Sequence, residues 1–250
     1  MRAILTAFLA LTLLSGCAQI SDQIDDAEAE TVSDEIAAPS VMETVDWAEL
    51  EGLVSVLVRN PTERMLRRAE AVITVHTPEG EELATSPRQV YEGACCTAID
   101  VPPGGTFGFY LFTGDVEGAV EDVEVSYKNV SWGDAASGGG PVATAVPVQL
   151  SSNRLGTLAI ADVTTRGGPV DTAVVQAVLE DPDGSLVAII SGTWDCFQPG
   201  TPTRIEMQLY QTAPPGTEIR SVTVYPDNQR ERGGDGNVLE SCEVAQWVAP

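Results

Sequence analysis

Histidine is the side chain that moves protons most readily near neutral pH, and this 250-residue chain has one, His76. It ends an apolar run that reads as a strand entering a turn, so a solvent-facing position suits it better than a catalytic base. Without a second histidine it cannot build a shared metal site either. The sequence has no GxSxG nucleophile elbow, no phosphate-cradling glycine loop and no zinc-protease motif. Carboxylates are plentiful, 37 Asp and Glu against 13 Lys and Arg. Asp181, Asp183 and Gly184 start like a calcium loop, but the later ligands and the closing Glu are missing, and Pro182 suits a hairpin turn. The stretch from Asp227 to Asn237 (DNQRERGGDGN) is polar too, and its interleaved arginines fit a surface loop better than a metal cage. The expectation is no catalytic residue, no metal ligand and no cofactor.

The N-terminus carries a more specific signal. Met1 and Arg2 make a short basic start, and residues 3–14 are an unbroken run of apolar and small residues with one threonine pair. That run is shorter than the roughly 20 residues a helix needs to cross a bilayer, and it reads as the centre of an export signal. Leu14, Ser15, Gly16 and Cys17 follow, an aliphatic residue, two small ones and a cysteine. This resembles the lipobox of bacterial lipoproteins. The resemblance implies cleavage before Cys17, acylation of its thiol, and tethering on the extracytoplasmic side of a membrane, which is the outer membrane in a diderm host because Ala18 rather than Asp follows the cysteine. Two or three acyl chains anchor a protein stably where one does not. Residues 18–40 are rich in Ala, Ser, Asp and Glu without Lys or Arg. Such a stretch buries no core and repels itself, as an extended tether would.

The remaining chain suffices for two domains of about 100 residues each. Leu53 to Asn60 (LVSVLVRN), Ala71 to His76 (AVITVH), the turn Thr77–Gly80 and the strands Phe107 to Phe112 and Val123 to Tyr127 form one series. Leu158 to Thr165 (LAIADVTT), Ala173 to Leu179 (AVVQAVL), the turn Asp181–Gly184, Arg204 to Tyr210 and Ser221 to Tyr225 repeat it. Corresponding features lie about 100 residues apart, as in a tandem duplication. Alternation in both series, as in Ile205, Met207 and Leu209, and punctuation by Gly, Pro and Asp predict strands throughout. The expected fold is all-β, with two tandem antiparallel β-sandwich (Ig-like) domains. The division is a signal peptide at 1–16, the lipidated cysteine and acidic tether at 17–43, a first sandwich at 44–133, a glycine-rich linker at 134–145 and a second sandwich at 146–250.

A strand ending in asparagine, a hairpin turn ending in glycine, a Pro-Gly turn and two further strands, behind an acidic tether, resemble bacterial FxLYD-type domains. Asn60 matches the asparagine, Ile73, Val75 and Gly80 stand at the signature stretch, and Leu179, Asp181 and Gly184 stand there in the second series. The Phe and Tyr of the signature are absent. The resemblance implies an extracytoplasmic module without an agreed active site.

Export places the cysteines where disulfides persist. Besides Cys17 there are Cys95, Cys96, Cys196 and Cys242, which allow three pairings. Cys196 with Cys242 is favoured, leaving the neighbours Cys95 and Cys96 to bridge each other or to pair across domains. A redox or metal-thiolate role for that pair lacks CxxC spacing. The net charge of −24 disfavours nucleic acid and anionic membrane surfaces as partners. Two functions remain. One is a non-catalytic binding or scaffolding module of the cell envelope, holding another envelope protein or a glycan through sheet edges or loops, with Phe107, Phe109, Tyr110 and Phe112 as candidate surface. Alternation lets only one pair of these, Phe107 with Phe109 or Tyr110 with Phe112, face outwards. The alternative is a carboxylate-dependent glycan-active enzyme, which needs two facing acids roughly 5 to 9.5 Å apart.

Overall fold

A computed structural model describes residues 41–86, 96–114, 120–134 and 140–227. Among the described residues every element is a strand. In chain order these are β1 (Glu43–Leu50), β2 (Leu53–Arg59), β3 (Met65–His76), β4 (Glu82–Thr85), β5 (Thr97–Val101), β6 (Thr106–Phe112), β7 (Asp122–Gly133), β8 (Val142–Asn153), β9 (Gly156–Arg166), β10 (Val170–Glu180), β11 (Leu186–Phe197), β12 (Thr203–Leu209) and β13 (Glu218–Pro226). All paired strands run antiparallel. The expected all-β sandwich architecture is present.

Four sheets form. One has the order β1-β2-β6; in another β3 pairs with β4 and β5 on one side and β7 on the other; the remaining two run β12-β9-β8 and β11-β10-β13. The order repeats, since β8, β9 and β12 stand to one another as β1, β2 and β6 do, and β11, β10 and β13 stand as β4/β5, β3 and β7 do. Period-2 alternation explains each core. Val54, Val56 and Val58 of β2 and Phe107 and Phe109 of β6 point at Ala71, Ile73 and Val75 of β3. In the second half Ala159, Ala161 and Val163 of β9 with Ile205 and Met207 of β12 meet Val175, Ala177 and Leu179 of β10.

The other faces of β2 and β10 are buried as well. Leu57 of β2 packs with Val178 of β10 and with Leu186 and Ile189 of β11. The four sheets therefore stack, with the β2 and β10 sheets as middle layers. This is why both strands are near-continuous apolar runs, and each fully buried side chain contributes about 1.5–3 kcal/mol.

Polar groups between the middle layers are matched. The Gln176 amide accepts from Gly108 N at 2.8 Å and donates to Gly108 O at 2.7 Å and Ser191 Oγ at 3.1 Å. Ser55 Oγ accepts from Ile189 N at 3.1 Å, and Asp46 Oδ2 accepts from Leu186 N at 3.2 Å. A Cβ on Gly108 would stand 2.6 Å from Ile189 Cγ2, so only glycine permits this approach. The Tyr225 hydroxyl donates to Thr106 O, and together with Gln176 it covers the unpaired edge of β6.

The described residues belong to one compact unit. Two boundaries move. Val41 and Met42, assigned to the tether on sequence, pack into the first core, where Met42 is buried. Val142 to Ala145, assigned to the linker, already belong to β8.

The repeated corner after the second strand of each half is closed differently. Asn60 is fully buried; its Nδ2 donates to Arg64 O, Val101 O and Pro102 O at 2.8, 3.0 and 3.2 Å, and its Oδ1 accepts from Thr62 N and Thr62 Oγ1 at 3.0 and 2.8 Å. Its backbone pairs with Gly104 and Gly105 of the Pro-Gly turn. Thr165 holds the corresponding place, bridging to Pro199 of the second Pro-Gly turn. The Thr165 hydroxyl is buried and has no partner among the described residues.

Candidate functional site

The β6 strand distributes its aromatic side chains over both of its faces. Phe107 and Phe109 are fully buried in the first core, with ring centroids 5.3 Å apart. Phe107 also meets Tyr225 at 4.8 Å. Tyr110 and Phe112 point the opposite way, edge to face at 6.4 Å. Tyr110 leans against the second core, its phenol pKa raised by burial, while Phe112 is 53% exposed.

On that side the two halves leave a groove of about 130 Å³. One wall is Tyr110 and Phe112, and the other comes from the end of β12 and the residues beyond it, Leu209, Tyr210 and Gln211. Alternation puts Leu209 and Gln211 inwards and leaves Tyr210 79% exposed. The floor includes Leu53 and Ser191, whose hydroxyl accepts from Gln176. Gln211 is 8% exposed, and its Oε1 has no partner among the described residues. None of the lining residues is charged. Tyr210 and Gln211 were missed on sequence; the outward position next to buried Leu209 was the available signal.

A second, more open cleft of about 470 Å³ lies at the Thr165 corner, between Arg166 and Gly167 on one side and Pro199, Gly200 and Pro202 on the other.

The remaining candidates do not gather around either concavity. His76 is half-buried at the end of β3, where it stands opposite Glu82 and Asp122 in register. Asp181 Oδ1 accepts from Asp183 N and Ser185 N, both at 2.9 Å, and Gly184 has a φ of 85°, so this segment is the β10–β11 hairpin turn. Asp227 N donates to Thr172 O, and the loop beyond it lies outside the described residues. Cys96 and Cys196 lie among the described residues, and Cys17, Cys95 and Cys242 lie outside them. Among the described residues no group of three or more His, Cys, Asp or Glu is placed to hold a metal ion. The acids are spread over the strands instead, some of them half-buried, as Asp46 and Asp100 are. On the outer face of β9, Asp162 receives two hydrogen bonds from Arg204, at 2.9 and 3.1 Å, which together with the guanidinium charge hold its carboxyl below the usual value. No protein-family model matches the chain, and no curated protein or solved structure is similar to it.

Proposed function

We propose that the chain is a lipid-anchored extracytoplasmic protein that serves as a non-catalytic binding or scaffolding module of the cell envelope. The observation that carries the binding reading is the uncharged aromatic groove between two halves locked together by Gln176, Gly108 and Ile189. Such a groove offers a pre-formed surface, and exposed Tyr and Phe rings give contact area at little entropic expense. The glycan-active enzyme would need facing acids; among the described residues no Asp or Glu is buried, and none lines the groove. The anchoring reading rests on Leu14, Ser15, Gly16 and Cys17 following an apolar run. Cys196 with Cys242 is the disulfide pairing that belongs with this reading.

The test is expression of the full precursor beside Cys17→Ser in a lipoprotein-competent bacterium, read by membrane fractionation and intact mass. Wild type is expected in the membrane fraction with acyl mass on an N-terminal Cys17, and the variant is expected to be released. Release of both forms, unlipidated and cut elsewhere, would remove the anchor.

A further inference from the structure

The lining of the groove between the halves narrows what it binds. At about 130 Å³ it is well under the roughly 300 Å³ at which pockets begin to enclose a drug-sized molecule, so it seats one ring of a longer ligand. Its walls present the exposed rings of Phe112 and Tyr210, whose electron-rich faces attract weakly polarised C–H bonds. Its polar groups are uncharged and of both kinds. Ser191 Oγ already accepts from Gln176 and so directs its own hydrogen elsewhere, and the exposed Gln208 offers both halves of an amide.

We infer that this groove binds one residue of a neutral glycan, with ring C–H bonds against Tyr210 and Phe112 and ring hydroxyls against the exposed Gln208 amide and the Ser191 hydroxyl; the inference rests on the binding-module reading. A hydroxyl is donor and acceptor at once, which matches a mixed, uncharged set of partners. An anionic ligand would approach a chain of net charge −24 with no cation in the groove to receive it. An apolar peptide side chain would cover the rings but shut the Gln208 amide and the Ser191 hydroxyl off from water without partners.

The experiment uses detergent-solubilised full-length lipoprotein on an array of neutral oligosaccharides, including chitohexaose and cellohexaose, with polygalacturonate fragments as acidic controls. Wild type should bind at least one neutral oligosaccharide and not the acidic controls. Tyr210→Ala, at an exposed site, should weaken that binding by about tenfold or more without changing the melting temperature. Equal binding by wild type and Tyr210→Ala would overturn the assignment. A photo-crosslinker at position 210, used in cells, separates the two failures. If no neutral sugar binds but the crosslinker reproducibly labels one envelope protein, the glycan is wrong and the binding module stands. If neither a sugar nor a protein is found, both fall.

Discussion

The corners at Asn60 and Thr165 occupy the same place in the repeated strand order and differ in how completely their polar groups are satisfied. At Asn60 a carboxamide supplies donors to three carbonyls and an acceptor to Thr62, tying the β2–β3 turn to the Pro-Gly turn before β6. At Thr165 the shorter side chain leaves its hydroxyl buried without a partner among the described residues, beside an open cleft of about 470 Å³. A shared topology has thus been closed by two different chemistries. Only the first corner relies on its side chain for cohesion, because an unmade buried hydrogen bond weakens a fold more than an average one strengthens it.

The comparison breaks most easily at Asn60. Asn60→Ala removes the carboxamide and three hydrogen bonds it donates, one of them to the buried Val101 carbonyl, and a loss of about 2 kcal/mol is expected in urea unfolding, with the m-value unchanged. A loss under about 1 kcal/mol would mean that the corner closes without its asparagine. Tyrosines give a second contrast. Burial raises the phenol pKa of both Tyr127 and Tyr225, yet Tyr225 donates to Thr106 O whereas Tyr127 has no partner among the described residues. A phenol whose folded pKa is raised gives its full stabilisation below the unfolded value of about 10 and loses it above, by up to about 1.4 kcal/mol per pH unit for each tyrosine. Stability should therefore fall above about pH 10, and Tyr127→Phe should flatten that decline without weakening the protein at pH 7. The smallest effect sharpens the original contrast. Thr165→Val keeps the shape and removes the orphan hydroxyl, so the unfolding free energy should stay within about 0.5 kcal/mol of wild type or rise. A loss above about 1 kcal/mol would show that the hydroxyl is satisfied after all.

Where one face of a strand meets a core and the other meets water, the pattern was legible. Ile205, Met207 and Leu209 alternate with exposed residues, and β12 lies where that spacing put it. The Asp181–Gly184 turn followed from turn chemistry alone. Strand β11 was not foreseen, since its first residues (LVAII) lie between two layers and lose the alternation that marks a strand. Strand β8 was partly taken for linker, because an edge strand with exposed Val142, Val146 and Val148 and a bulge after Pro147 lacks a buried face to betray it. For the groove, alternation split the β6 aromatics correctly into two pairs. Which pair faced outwards depended on the stacking of the middle layers, and that is set by Gly108 and Gln176, residues that carry no periodic signal.

The Asp162–Arg204 pair limits how far this architecture can grow. The two halves are joined head to tail, so the outer face of the β8-β9-β12 sheet is the counterpart of the face through which the first half receives the second. Where β2 and β6 offer Leu57 opposite Gly108, a smooth seat for Ile189, β9 and β12 offer Asp162 opposite Arg204, a charged pair held by two hydrogen bonds. A third unit, or a second molecule docking by the same contact, would have to strip water from both charges. The ion pair thus disfavours a head-to-tail addition on this face, the kind of contact that would otherwise leave an open end.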